Sequence, residues 1–213
     1  MNDGYTILSL DELEAAPHRG SHLIPVRHTL GFQAAGVNAW RADTGGQLIP
    51  PHEEDSGNEE LYAVVRGRAR FTVGEEEAEA PAGTLVFVPP GIFRTAVAAD
   101  DDTIVFVVGG TVGEAFHSDG WDSFTVADAY RQAGRLDDAR AIMEELIAHQ
   151  PNFWATSYNA GCLEALAGVP DTAFEHLRRA KELDTQGESA QYFREDSDLD
   201  SLRDDPRFAE LLG

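Results

Sequence analysis

Hydrophobic positions follow two different periods along the chain. Over residues 34–110, short apolar stretches alternate with turn residues, and this spacing is typical of β-sandwiches and barrels. C-terminal to this region, apolar residues recur at three- and four-residue intervals, as they do along one face of a helix. The pattern predicts a mainly β domain at residues 1–120, with its core at 34–112, followed by an α-helical domain at residues 121–213.

The strand pattern is carried by five apolar stretches: AGVNAWRAD (35–43), ELYAVVRG (60–67), ARFTV (69–73), TLVFVPP (84–90) and DTIVFVVGG (102–110). Gly74 in VGEEE predicts a hairpin tip, because glycine adopts backbone conformations that other residues avoid. Near the N-terminus, SLDELEAA predicts a short helix capped by Ser9 or Asp11. Residues 16–33 show neither period clearly.

Four C-terminal segments have the helical spacing and form two pairs. They are residues 122–134, 137–150, 153–168 and 171–184. The first pair matches the second at a shift of 34 residues, from Gly134 to Gly168 and from Ala139 to Ala173. One helix hairpin per period of this length is the signature of tetratricopeptide-type arrays. The α-helical domain therefore resembles a short tetratricopeptide repeat.

The resemblance to tetratricopeptide repeats extends to individual positions. Aromatic, glycine, small and apolar residues fall where that family has them, at Tyr130, Gly134, Ala139, Met143, Leu146 and Pro151 in the first unit and at Ala160, Gly161, Gly168, Ala173, Leu177 and Ala180 in the second. Thr185 departs from the pattern, which has proline there, and a generic pair of helical hairpins gives the same coarse architecture. The tail, residues 197–213, resembles the segment that caps such arrays.

A repeat of this kind implies a surface that contacts another protein. With about two and a half units, the array is shorter than the roughly three repeats that usually stand alone. We therefore expect it to pack on the β-domain or on a second copy. Open strand edges in the β-domain give a further reason to expect a homodimer, formed chiefly through the β-domain around an apolar centre.

Composition and charge narrow the class of protein. The chain has 213 residues, 42% of them hydrophobic, as in ordinary globular proteins. Its 38 acidic and 16 basic residues give a net charge of −22, which repels phosphate backbones and anionic lipids, so we expect no nucleic acid and no membrane partner. The sequence shows neither a signal peptide nor a membrane-spanning run, which predicts a cytoplasmic protein. The single cysteine, Cys162, excludes an internal disulfide.

Two motifs in the β-region resemble those of the cupin family. The stretch GGQLIPPHEEDSGNEELYAVVRG (45–67) fits the first motif at Gly46, His52, Glu60 and Gly67. The stretch GTLVFVPPGIFR (83–94) fits the second at Gly83, Pro89 and Gly91. The resemblance covers roughly residues 34–112 and implies a double-stranded β-helix, the jelly-roll barrel of that family.

The chain departs from the cupin pattern at the positions that hold a metal. The resemblance implies two histidines and a glutamate from the first motif and one histidine from the second. Here Glu54 replaces the second histidine and Arg94 replaces the last, and Arg94 has no lone pair to offer a metal. Two alternatives remain. Either Arg94 pairs with Glu60 or Glu54 in a site without a metal, or His52, Glu54 and Glu60 hold manganese, iron or zinc while Arg94 turns outward.

Strand alternation adds a wall to this site. If Glu60 points inward, so does Tyr62, either as part of a ligand pocket or as a core residue. An inward Arg94 favours a carboxylate or phosphate group on the ligand. The candidate pocket residues are therefore His52, Glu54, Glu60, Tyr62 and Arg94.

Three functions are compatible with these residues. The leading hypothesis is a cupin-type module that binds or senses a small anionic molecule, fused to a protein-interaction repeat and without intact metal-dependent catalysis. The alternative is a metal-dependent cupin enzyme of the dioxygenase or isomerase class, in which Arg94 anchors a substrate carboxylate. In the third, the barrel is a dimerisation platform with an inert interior. Whether the protein is an enzyme stays open at this point.

Overall fold

The computed structural model describes residues 6–18, 20–54, 57–116 and 120–212. The chain divides into two compact units, residues 1–118 and residues 119–213. Strands dominate the first unit, and helices make up the second. No helix in the described ranges is long and apolar enough to cross a membrane.

The N-terminal unit is built from antiparallel strands in two sheets. Its elements are a 3-10 helix at Leu10–Glu12, α1 (Val26–Leu30), β1 (Ala16–His18), β2 (Ser21–Ile24), β3 (Gly36–Ala42), β4 (Gln47–His52), β5 (Asn58–Arg66), β6 (Arg68–Val73), β7 (Glu76–Pro81), β8 (Leu85–Val88), β9 (Arg94–Ala98) and β10 (Thr103–Thr111). The larger sheet has the order β1-β2-β3-β10-β5-β8, and the smaller has the order β4-β9-β6-β7.

The interior of this unit lies between the two sheets. Along β5, Tyr62 and Val64 are each only 1% exposed, whereas Leu61 and Val65 on the other face are 40% and 48% exposed. Tyr62 reaches the smaller sheet, where its ring centroid is 5.7 Å from that of Phe71. The inner face of the smaller sheet otherwise consists mainly of small buried side chains, at Ala69, Ala80, Ala96 and Ala98.

The five predicted stretches lie in β3, β5, β6, β8 and β10, but other strands were not predicted. Strand β4 contains Pro50 and Pro51, which usually argue against a strand; here the pairing with β9 is irregular between Ile49 and His52. The region in which neither period is clear contains β1, β2 and α1. The predicted N-terminal helix is a single 3-10 turn, in which Ser9 and Glu12 make a reciprocal capping box.

The C-terminal unit consists of helical segments that pack as hairpins. They are α2 (Trp121–Gln132), α3 (Leu136–His149), α4 (Trp154–Leu166), α5 (Pro170–Leu183), α6 (Ser189–Glu195), a 3-10 helix at Ser197–Leu202 and α7 (Pro206–Leu212). Helix α2 packs on α3, α4 packs on α5, and α4 also contacts α2 and α3. The four predicted helical segments correspond to α2–α5, whereas α6 was not predicted.

Small residues allow these helices to approach closely. A Cβ atom on Gly161 of α4 would lie 2.6 Å from Leu177 of α5, so a larger residue there would force the hairpin apart. Ala139, Ala173 and Ala180 are completely buried at other helix contacts. The tail covers one end of this core with Leu199, Leu202, Phe208 and Leu211.

Candidate functional site

The five candidate residues come from both sheets of the N-terminal unit and meet at one place. His52 ends β4 and lies opposite Arg94, the first residue of β9, in the pairing of the smaller sheet. Glu60 and Tyr62 come from β5 of the larger sheet, two residues apart and so on the same face. Glu54 lies two residues after the end of β4, with its carboxylate beside His52.

Glu60 is at the centre of the cluster. Its Oε2 atom lies 3.4 Å from His52 Nε2 and 3.4 Å from Arg94 Nε. The same oxygen accepts a hydrogen bond from the Tyr62 hydroxyl. The Glu60 side chain is only 15% exposed, so these three contacts replace most of the water that a carboxylate would otherwise hold.

The hydrogen bonds of His52 determine which of its nitrogen atoms carries a proton. Nδ1 lies 2.7 Å from the carbonyl oxygen of Pro50, and a carbonyl can only accept, so Nδ1 is the donor. Nε2 then faces two carboxylates, at 3.4 Å from Glu60 and 3.6 Å from Glu54. These two carboxylates favour a proton or another cation at Nε2 over a bare lone pair.

The pKa values in the cluster agree with a protonated imidazole. The hydrogen bond to Glu60 raises the pKa of His52 above its ordinary value, although burial opposes this shift. Burial raises the pKa of Glu60, but hydrogen bonds from His52 and Tyr62 outweigh it, and the net pKa lies below the ordinary value. Burial and the negative charge of Glu60 raise the pKa of Tyr62, so its hydroxyl stays a donor.

Arg94 is the least satisfied member of the cluster. Its side chain is 0% exposed. Nη2 donates to the carbonyl oxygen of Pro89 at 3.2 Å. Nε is close to Glu60 but not aligned for a hydrogen bond, and Nη1 has no hydrogen-bond partner among the described residues. A buried donor left in this state costs about 1–3 kcal/mol, so the structure retains it at the expense of stability.

The cupin resemblance implies a metal, and three of the residues at its ligand positions lie close together. One ligand atom from each of His52, Glu54 and Glu60 lies within 4.8 Å of the others, close enough for a shared ion. However, the Oε2 atom of Glu60 already contacts Arg94 and Tyr62. Arg94 also stands at the position of the fourth ligand, where it offers no lone pair and adds a positive charge. The residues present therefore do not fit the four-ligand centre of the family.

Several residues of the site were not predicted. Phe71 forms the wall opposite Tyr62, while Pro50 and Pro89 supply backbone carbonyls. Gly109 of β10 faces Glu60, and a Cβ atom there would lie 3.2 Å from Glu60 Cγ. Only Gly109 left a signal in the sequence, as a glycine within the strand pattern VFVVGG, since glycine inside a strand often marks a close approach.

Comparison with known proteins identifies the family of the N-terminal unit. Residues 40–110 match the family model of the cupin domain. An uncharacterized protein of Streptomyces coelicolor is 37% identical over 101 residues, which cover 46% of this chain and 90% of that protein. Residues 40–110 are therefore a cupin domain.

Solved structures with a similar fold include three cupins, each matching about half of this chain. A cupin protein from Bacteroides fragilis has 21% identity and a TM-score of 0.42, and covers 55% of this chain and 92% of its own. A sugar phosphate isomerase of the cupin superfamily from Silicibacter pomeroyi has 20% identity and a TM-score of 0.43, with coverages of 54% and 83%. A predicted oxalate decarboxylase from Thermotoga maritima has 15% identity and a TM-score of 0.41, with coverages of 50% and 100%.

Proposed function

We propose that the cupin domain binds a small anionic molecule through Arg94, and that the helical unit is a tetratricopeptide-like module that contacts another protein. The observation that carries the first part is the guanidinium of Arg94, which is fully buried and has Nη1 and Nε without hydrogen-bond partners among the described residues. A carboxylate or phosphate group accepts from two such donors at once, which a single water molecule does less well.

Exposure around Arg94 indicates how a ligand would reach it. The side chains of His52 and Glu54 are 30% and 23% exposed, whereas Tyr62 is 1% exposed. The ligand would therefore enter past His52 and Glu54, with its anionic group directed toward Arg94. Glu54 and Glu60 would accept hydrogen bonds from its hydroxyl groups, which favours a hydroxylated acid or a sugar phosphate over a simple anion.

Calorimetric titration with malate, ribose 5-phosphate and ribose tests this assignment. We expect the two anions to bind and ribose to bind far more weakly, because ribose offers Arg94 no anionic group. Arg94→Gln should abolish binding of both anions, whereas Arg68→Gln removes an arginine whose side chain is 48% exposed and should change little. If Arg94→Gln bound malate and ribose 5-phosphate as tightly as the parent does, the assignment would be refuted.

The repeat assignment of the helical unit is supported by its internal correspondence. Gly134 and Gly168, 34 residues apart, both follow helix ends with positive φ, at 76° and 74°. Ala139 and Ala173, at the same shift, are both completely buried. Two hairpins with equivalent turns and equivalent contact residues are the arrangement that tetratricopeptide arrays repeat. Such arrays present a surface to a protein partner, and we assign that role to this unit.

A metal-dependent enzyme is the second candidate, favoured by the clustering of His52, Glu54 and Glu60 within 4.8 Å. A divalent metal held there would supply Lewis-acid chemistry, with Arg94 orienting an anionic substrate. Titration of the protein with manganese and zinc separates the candidates. On our leading proposal the parent binds either metal weakly and Arg94→His binds more tightly. Tight, equal binding by both proteins would instead favour the enzyme.

We also propose a homodimer through the outer face of β5 and β8. Leu61, Val65, Leu85 and Phe87 are 40%, 48%, 64% and 57% exposed on this face, and β8 ends the larger sheet in the described part of the chain. Two copies with a charge of −22 each can approach only where the surface is uncharged. Light scattering should give a dimeric mass for the parent and a monomeric mass for Phe87→Glu; a monomeric parent at micromolar concentration would refute the dimer.

A further inference from the structure

An aromatic surface on the helical unit has no role in the proposals above. Its exposed rings are those of Phe153, just before α4, and Tyr192 of α6, which lie around Trp154 and the buried Tyr158; these four residues are called here the aromatic platform. The ring centroids of Trp154 and Tyr192 are 5.6 Å apart, and those of Tyr158 and Tyr192 are 5.8 Å apart. Tyr192 is 53% exposed and Phe153 is 40% exposed, so both rings are open to solvent.

Carboxylates border the aromatic platform. The indole N–H of its tryptophan donates to Glu188 at 3.1 Å, and the hydroxyl of Tyr158 donates to Asp196 at 2.8 Å. Glu188, Tyr192 and Glu195 follow the three- and four-residue spacing that places side chains on one face of α6. Both glutamates are exposed. Glu188 and Glu195 thus lie about one turn before and one turn after Tyr192, and Glu195 also accepts a hydrogen bond from Gln191 at 3.0 Å.

Three other aromatic rings of the described part of the helical unit have an arginine side chain of the same chain over them. The pairs are Arg135 over Tyr130 at 4.1 Å, Arg207 over Phe174 at 4.3 Å and Arg203 over Phe208 at 5.5 Å. Within the described residues, no arginine or lysine lies over a ring of the aromatic platform in this way. The platform thus combines exposed rings with nearby carboxylates, and its rings are available to a cation from another molecule.

We propose that the aromatic platform binds an arginine-rich segment of a partner protein. A guanidinium would stack on Tyr192 or Phe153, and Glu188 and Glu195 would accept its hydrogen bonds. Residues 121–213 contain 19 acidic and 9 basic residues, so the whole unit attracts a basic segment. This inference rests on the proposed role of the helical unit in contacting a protein and is independent of ligand binding at Arg94.

Fluorescence anisotropy with the full chain tests the proposal. The probes are a labelled octapeptide of alternating arginine and glycine and its lysine, glutamate and serine counterparts. We expect the arginine peptide to bind most tightly and the lysine peptide next. Tyr192→Ala should weaken the arginine peptide about tenfold, whereas Tyr192→Phe, which keeps the ring, should retain most of the affinity. Because Tyr192 is half exposed, neither variant should unfold the protein, which circular dichroism would verify.

Matched charge variants distinguish binding at the aromatic platform from a general attraction of basic peptides to an acidic protein. Glu188→Gln with Glu195→Gln should weaken the arginine peptide severalfold more than Glu75→Gln with Glu77→Gln, which removes the same charge at an exposed hairpin. Equal losses in the two double variants, or unchanged binding by Tyr192→Ala, would overturn the inference. Preference for the glutamate or serine peptide would also overturn it, while leaving the role of the helical unit in protein contact intact. Arg94→Gln should bind the arginine peptide as the parent does.

Discussion

Each of the two units holds an arginine–glutamate pair, and the two pairs differ in how well they are satisfied. In the helical unit, Arg140 donates to both oxygens of Glu164 at 2.6 and 2.7 Å. In the cupin domain, Arg94 lies 3.4 Å from Glu60 without an aligned hydrogen bond, although it is the more deeply buried arginine. The first pair joins α3 to α4 through two aligned hydrogen bonds. In the second pair, Nε and Nη1 of Arg94 have no hydrogen-bond partner among the described residues. Arg140 therefore joins two helices, whereas the incomplete hydrogen bonding of Arg94 is the basis for the proposed anion site.

Removal of the complete pair should give the largest loss of stability. Arg140→Met leaves the Glu164 side chain, 5% exposed, without its partner. Breaking a fully buried pair costs roughly 3–5 kcal/mol, and because Arg140 is 35% exposed we expect about 2 kcal/mol. Urea denaturation measures this loss in the free energy of unfolding, with circular dichroism used to follow the transition of the helical unit. A loss below that of Arg94→Met would contradict the distinction between the two pairs.

Tyr62→Phe should have the next largest effect, because it removes a donor from the buried carboxylate at the centre of the site. A hydrogen bond to a charged group contributes about 1.5–3 kcal/mol, so we expect the cupin domain to lose about 1.5 kcal/mol. Tyr158→Phe provides the matched control in the helical unit, since Tyr158 donates to Asp196 from a similarly buried position. Thermal denaturation that left the cupin domain unchanged would mean that Glu60 does not depend on Tyr62.

Arg94→Met should cost less stability than either substitution above while abolishing ligand binding. Glu60 keeps its contacts with His52 and Tyr62, and two unsatisfied donors disappear, so we expect a loss of about 1 kcal/mol or less. Denaturation and anion titration on the same sample check both parts. A large loss of stability with unchanged anion binding would make Arg94 a structural residue like Arg140.

The pH dependence of the two units should have opposite signs, and this effect is the smallest. The pKa of His52 is raised, chiefly by its hydrogen bond to Glu60, so its stabilisation is present below pH 6.5 and is lost as pH rises through the folded pKa. Burial lowers the pKa of His176, although the negative charges of Glu164 and Glu175 oppose this shift. The contribution of His176 to stability is therefore present above pH 6.5 and is lost as pH falls through the folded pKa.

Unfolding measured between pH 5 and pH 8 in the presence of a chelator tests these signs. His52→Gln should remove the dependence of the cupin domain, and His176→Gln should remove that of the helical unit. Parallel pH profiles for the two units in the parent protein would contradict the opposite shifts.

Local pattern predicted the main elements of both units. Two-residue alternation in β5 predicted that Tyr62 shares a face with Glu60, because successive side chains on any strand point to opposite sides, and the structure shows that this face is buried. The helical period likewise predicted α2–α5. Strands β1, β2, β4, β7 and β9 and helices α1 and α6 were not predicted. Pro50 and Pro51 argue against a strand at β4, and α6 has only seven residues.

The sequence by itself determined which groups are available: one histidine, two glutamates, a tyrosine and an arginine in cupin-like order, and an excess of acidic residues. Only the tertiary structure decided their relations. The pairing of β4 with β9 places Arg94 opposite His52, and Glu60 rather than Glu54 lies beside its guanidinium. The aromatic platform likewise joins residues of α4 and α6 that are far apart in the chain. Such contacts depend on how distant elements pack, and no local period along the chain encodes that packing.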